Sequence, residues 1–387
     1  MVQITVPWRL PARRGRAQRA KQLNHRHLDN ESEFPTSSPA QPLAEHLSTG
    51  PGVCFGEQVS DSLSITERTI QTNGVQLHTL EAGAPGAPLV VLAHGFPELA
   101  YSWRHQIPAL ADAGYHVLAP DQRGYGRSTR PADIAAYNIA DLSADLIGLL
   151  DDVGADKAVF IGHDWGAPVV WSSAQLHPDR VAAVVGLSVP PVPRAKIPPT
   201  EAFRAIFGNN FFYMLYFQDP GVADAELDAD PATTIRRMMG GLARSDDPAA
   251  GLRMIRPGPA GFIERLPEPE SLPEWISAHE VDHYVTEFSR TGFTGGLNWY
   301  RNLDRNWEIL ADPPAATIEV PAMFIAGTDD PVLAFMRHDR AAEVVTGRYR
   351  EVLIDGAGHW LQQERPAQIN EAVLDFLSSL TTGAQTS

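Results

Sequence analysis

The sequence predicts an α/β protein, a mostly parallel, doubly wound sheet with an α-helical segment inserted into it. Three observations carry that reading. Continuous apolar runs of strand length alternate with amphipathic helical stretches, the rhythm of parallel strands joined by crossover helices. Strand signals vanish from about residue 200 to 310 and then return. One apolar run ends in Gly162-His163-Asp164-Trp165-Gly166, a turn sharp enough to need small residues on both sides.

The elements follow in order. Ile70 to Thr79, with Asn73-Gly74 at its centre, reads as a β-hairpin. Leu89 to Ala93 is apolar throughout, as in a strand covered on both faces. Trp103 to Ala113 reads as a helix stopped by Gly114, and Tyr115 to Ala119 as the next strand. Ile139 to Val153 is an amphipathic helix ended by Gly154. Ala158 to Ile161 feeds the glycine-flanked turn, a helix begins near Ala167, and Val181 to Leu187 is another strand.

Pro190-Pro191-Val192-Pro193 and Pro198-Pro199 then mark a linker, because proline cannot enter a central strand. Beyond it the chain reads as helices rich in aromatics, among them Phe203, Phe211, Tyr213 and Tyr216. Ala322 to Ala326 and Tyr349 to Ile354 restore the α/β pattern. The expected organisation is core over 66–190, helical cap over 191–310 and core again over 311–380. A cap inserted there covers the carboxyl ends of the strands, where such sheets bind ligands. Residues 1–65 lack apolar periodicity and are expected to be disordered, and 381–387 to form a flexible tail.

Composition excludes several classes. The formal charge of −16 argues against nucleic acid or anionic lipid as a partner, although residues 1–28 hold seven Lys/Arg and no Asp/Glu. No run reaches the length of a membrane span. The single cysteine, Cys54, excludes an intramolecular disulfide and a thiolate metal cluster. A cytoplasmic location fits this balance. Asp121-Gln122-Arg123-Gly124-Tyr125-Gly126-Arg127-Ser128 is glycine-spaced but holds no full dinucleotide fingerprint, so it reads as structural and no cofactor is expected.

The turn at Gly162–Gly166 has the pattern of a nucleophile elbow, with aspartate at its tip where most elbows carry serine. A carboxylate is already ionised at neutral pH and can displace a leaving group from saturated carbon, leaving an ester on the protein. The order nucleophile, acid, histidine is completed at two later strand ends. Gly327-Thr328-Asp329-Asp330-Pro331 supplies a carboxylate, and Asp355-Gly356-Ala357-Gly358-His359-Trp360 a histidine. Taken together they predict the α/β-hydrolase fold. The loop His94-Gly95-Phe96-Pro97 follows the strand ending at Ala93, which nominates the backbone N–H groups of Phe96 and Trp165 as oxyanion donors. His94 is expected to brace its loop.

On these residues the chain resembles the soluble-type epoxide hydrolases, over about Thr66 to Leu380. The carriers are His94-Gly95-Phe96-Pro97-Glu98, Tyr101-Ser102-Trp103-Arg104, the Asp164 elbow, Leu215-Tyr216-Phe217-Gln218-Asp219-Pro220-Gly221 and Gly296-Leu297-Asn298-Trp299-Tyr300-Arg301-Asn302. The resemblance implies that Tyr213 and Tyr300 grip an epoxide oxygen, with Tyr216 a neighbouring packing residue. It implies Asp330 as the acid that orients His359, with Asp329 as the fallback. Phe96, Trp103 and Trp165 are expected to contact a small apolar epoxide. Water is the co-substrate.

Competing readings rest on single features. His279-Glu280-Val281-Asp282-His283 matches the H-E-x-x-H zinc signature, with Glu287 or Glu308 as a third ligand, but acidic residues at a helix start need only a capping explanation. Haloalkane dehalogenases resemble the fold and share an Asp-Trp elbow, yet place asparagine where Phe96 stands. Fluoroacetate dehalogenases carry arginine where Trp165 stands. A non-enzymatic ligand-binding relative is disfavoured by the complete Asp164, Asp330, His359 set.

Overall fold

A computed structural model describes residues 64–241, 254–334 and 336–383. The region read as disordered at the start of the chain lies, but for its last two residues, outside them. Within Val59–Ser387, which forms one compact unit, eight strands make a single sheet in the order β1-β2-β4-β3-β5-β6-β7-β8. They are β1 (Thr66–Thr72), β2 (Val75–Ala82), β3 (Leu89–Ala93), β4 (His116–Pro120), β5 (Ala158–His163), β6 (Val181–Leu187), β7 (Ala322–Gly327) and β8 (Tyr349–Ile354). The first three in spatial order pair antiparallel and the remainder pair parallel. Asn73 and Gly74, with φ of 43° and 75°, form the hairpin turn.

Three helices fill the crossovers: α1 (Gln106–Asp112), α2 (Ile139–Val153) and α3 (Gly166–Leu176). Asn138 caps α2 by accepting from the Ala140 and Asp141 amides, and left-handed Gly154 ends it. The helix expected from Trp103 is split. A 3₁₀ turn covers Ala100–Trp103, and α1 starts only at Gln106. Pro108 explains the break, because its missing N–H is harmless in a first turn and not in a helix interior.

Among the described residues between β6 and β7 every regular element is helical: α4 (Pro199–Phe207), α5 (Tyr213–Tyr216), α6 (Val222–Ala229), α7 (Pro231–Gly241), α8 (Phe262–Arg265), α9 (Ala278–Thr291), α10 (Thr294–Arg301) and α11 (Leu303–Ile309). The chain closes with α12 (Leu361–Glu364) and α13 (Pro366–Gly383). The last helix therefore absorbs residues 381–383, which were expected in the tail; the rest of that tail lies outside the described residues.

Alternation along the strands divides the core. Val91, Ala93 and Phe160 face one side of the sheet, packed under α2 and α3 and continuous with the helical insertion. Val90, Leu92 and Ile161 face the other, under α1 and α13. From β3 the chain moves outward to β4 and then returns to the opposite side of β3 to lay down β5. That reversal opens a crevice at the carboxyl ends of β3 and β5, where open α/β sheets bind ligands.

Candidate active site

Asp164 sits at that crevice, one residue past β5, with φ of +48°. This left-handed conformation turns the strand into α3 and lifts the side chain clear of the sheet. The close approach requires the neighbouring glycines. A Cβ on Gly166 would strike the Ala93 carbonyl, and one on Gly95 would strike the Asp164 carboxylate. The Phe96 N–H, at the end of β3, donates to Asp164 Oδ1 at 2.7 Å. The Trp165 amide, the second expected donor, makes no bond to the carboxylate in this geometry; it lies at the N-terminus of α3.

The other oxygen faces the histidine. His359 Nε2 stands 3.6 Å from Asp164 Oδ2, and Nδ1 lies 3.1 Å from Asp330 Oδ1. Both ring nitrogens thus face carboxylates. Burial by itself would lower the imidazole's proton affinity, but Asp330 and Asp164 outweigh it and hold the pKa well above the ordinary value. Burial would likewise raise Asp330, yet the His359 charge and hydrogen bonds from His359, Ser188 and the Val332 amide hold its carboxyl below the usual range. Asp330, and not Asp329, is the acid that contacts His359.

Above them, a cavity of about 610 Å³ is lined by Asp164, Trp165, Tyr213 and Tyr300 together with apolar residues of α3, α4 and α11. Tyr213 opens α5 and Tyr300 lies in α10, their rings 6.0 Å apart. The Tyr300 ring is held edge-on by Trp165, Phe217 and Phe96 at 5.0, 5.0 and 5.5 Å. Burial, and secondarily the Asp164 charge, pushes both phenols up, so both remain protonated donors. Tyr216 is absent from the cavity lining, and its ring packs against Phe211 at 5.3 Å.

The alpha/beta hydrolase fold family matches residues 88–366. Epoxide hydrolase A of Mycobacterium tuberculosis is 70% identical over 315 residues, which is 81% of this chain and 98% of that protein. Epoxide hydrolase B of the same organism is 39% identical over 354 residues, covering 82% and 99%. The crystal structure of epoxide hydrolase A from Mycobacterium thermoresistibile superimposes with a TM-score of 0.80 at 69% identity, covering 81% of this chain and 98% of that one. The chain belongs to the epoxide hydrolases of the α/β-hydrolase fold.

Within this epoxide hydrolase, two expected substrate contacts take other places. Trp103 is fully buried on the far side of the sheet, beside Leu92, Ile161 and Val373, and does not reach the cavity. The cause is the 3₁₀ turn, which carries it under α13 and away from the crevice. The Phe96 ring, only 2% exposed, packs beneath Tyr300 and lies outside the cavity lining, so Phe96 meets the site through its amide. The H-E-x-x-H residues are occupied otherwise. Glu280 closes a capping box with Ser277 and pairs with Arg104, while the His283 ring packs at a tilt against Tyr101, centroids 4.2 Å apart. His94 braces its loop as expected, its Nε2 accepting from the Gln122 amide at 3.0 Å.

Two further groups touch the site and carry no role in the sequence reading. Glu98 is fully buried, accepts from the Gly95 amide at 2.8 Å and lies 2.6 Å from His163 Nδ1. His163 Nε2 in turn meets the His359 carbonyl at 2.8 Å. The sequence signal was the acidic residue directly after His94-Gly95-Phe96-Pro97. The second group is Ser188, one residue past β6, whose Oγ donates to Asp330 Oδ2 at 2.5 Å. Nothing in its residue type marked it.

Proposed function

We propose that this chain converts an epoxide and water to a vicinal diol through an ester on Asp164. The observation that carries the reading is the division of labour at one carboxylate. Oδ1 is held by the Phe96 amide and Oδ2 faces His359, while Asp164 itself lines the cavity. In the first half-reaction Oδ2 attacks a ring carbon, the C–O bond breaks, and the departing oxygen takes a proton from Tyr213 or Tyr300. Helices of the 191–310 region act as the cap that presents these tyrosines opposite the nucleophile.

In the second half-reaction His359 Nε2 takes a proton from water, and the hydroxide adds to Cγ of Asp164. The oxyanion develops on Oδ1, where the Phe96 amide already points and the Trp165 amide joins it at the start of α3. Collapse breaks the Cγ–Oδ2 bond, His359 returns its proton to the leaving diol oxygen, and the new carboxyl proton reloads the tyrosine. Ester formation also neutralises Asp164, one of the two charges that favour protonated His359. Alkylation thereby frees the imidazole to act as base. The apolar cavity suits an apolar epoxide, and no step needs a metal or cofactor.

His359→Gln tests the scheme. Incubated with a reactive aryl or alkyl epoxide, the variant is expected to gain the substrate's full mass at Asp164, seen by intact-mass and peptide spectrometry. An active wild type with no adduct in the variant would remove the ester from the mechanism.

A further inference from the structure

Among the described residues only three non-glycine positions have positive φ: Asn73 in the hairpin turn, Asp164 and Ser188, at 43°, 48° and 70°. The first is ordinary turn chemistry. The second is the nucleophile. Ser188 lies in neither class, yet it occupies the equivalent place on the next strand, one residue beyond the carboxyl end of β6. The Val189 amide donates to the Leu187 carbonyl at 2.8 Å across it, closing a three-residue γ-turn of the strained, positive-φ kind. Its own N–H donates to the Ile325 carbonyl on β7 at 2.9 Å, which fixes the turn against the sheet. Such strain persists where surrounding structure over-determines it, and it clusters at functional sites.

The turn determines where the hydroxyl points. Ser188 is fully buried, with Oγ 2.5 Å from Asp330 Oδ2 and 3.0 Å from His359 Nδ1. One donor hydrogen goes to Oδ2. The Nδ1–H of His359 is left to Oδ1 at 3.1 Å, with the serine oxygen within reach of the same hydrogen. Asp330 Oδ1 also accepts from the Val332 amide at 2.9 Å. The carboxylate is thus held by donors from three directions and cannot rotate away from the imidazole.

We infer that Ser188 is a positioning residue for ester hydrolysis: its hydroxyl locks the Asp330 carboxylate in the orientation that aims His359 at the attacking water. This rests on the two-step reading above. The hydroxyl touches neither the Asp164 carboxylate nor the tyrosines, so it acts on the second half-reaction and leaves the first alone.

That separation gives a kinetic signature. Slowing hydrolysis alone lowers kcat and KM together and leaves kcat/KM, which reports the steps up to the ester, unchanged. Ser188→Ala is expected to slow single-turnover breakdown of the Asp164 ester by roughly tenfold or more, the scale of one hydrogen bond to a charged group. Its rate of ester formation should match wild type. Ser188→Gly removes the hydroxyl and relieves the backbone strain together, so it should show the same defect without loss of folding. If the Ala and Gly variants break down the ester at the wild-type rate, or lose ester formation equally, Ser188 has no positioning role. If wild type and His359→Gln form no ester, the failure belongs to the two-step reading.

Discussion

Two buried histidine–carboxylate pairs lie side by side in this molecule, and their surroundings fit them for different work. His163 with Glu98 and His359 with Asp330 have ring centroids 5.1 Å apart, and all four residues are at most 5% exposed. Each histidine offers Nδ1 to its carboxylate. They differ at the other nitrogen. His163 Nε2 donates to the His359 carbonyl, so both of its ring nitrogens are engaged by fixed partners. His359 Nε2 is directed at Asp164 Oδ2, across 3.6 Å, beside the cavity. A histidine whose second nitrogen is tied to backbone is a strut. One whose second nitrogen faces a reacting atom can move a proton.

Removing the acid from each pair should separate these roles, and the largest effect belongs to Asp330. Asp330→Asn keeps the shape but no longer holds the Nδ1–H tautomer or stabilises the imidazolium. A drop in kcat of about 10⁴ is expected, the scale seen when the orienting acid of a histidine base is neutralised. The ester should accumulate. Turnover within tenfold of wild type would mean that Asp330 does not orient the base.

Glu98→Gln should reverse that pattern. Losing a buried hydrogen bond to a charged group costs about 1.5–3 kcal/mol. Glu98 also holds the Gly95 amide and accepts from the Gln362 and Gln363 side chains, so its loss loosens the loop before Phe96. A fall of several degrees in melting temperature is expected, with activity per folded molecule within tenfold of wild type. A stable Glu98→Gln variant with no turnover would erase the distinction between strut and base.

The contrast also explains what the sequence disclosed. Asp164 and His359 were legible because sharp turns at strand ends demand glycines, and those glycines mark the positions. Tyr213 and Tyr300 entered through the resemblance to a family, and no spacing rule would have selected them from so many aromatics. Trp103 was misplaced because the motif around it does not reveal that Pro108 delays α1 and leaves a 3₁₀ turn under α13. Ser188 was silent because its strain sits on a non-glycine residue held by long-range contacts to β7 and Asp330. Local sequence reports strain that glycine relieves. It does not report strain that the fold imposes.

Acid and alkaline stability should divide the two pairs once more, with the smallest effect of the three. Burial alone would raise the Glu98 carboxyl, but the charge and hydrogen bond of His163, with help from His94 and the Gly95 amide, bring it down to about 2 from 4.5. A carboxyl depressed by folding contributes stability that is present above the unfolded value and lost as pH falls through the folded one. The Glu98 contribution is therefore complete above about pH 4.5 and disappears toward pH 2. His359 has the opposite sign. Its raised folded pKa contributes stability that is full below 6.5 and lost as pH rises through the raised value. Melting temperature measured from pH 2 to 10 should accordingly fall less steeply on the acid side in Glu98→Gln, and less steeply on the alkaline side in His359→Gln, than in wild type. Curves for both variants that merely run parallel to wild type would show that neither pair's protonation is linked to folding, and that the strut and the base differ only in their contacts.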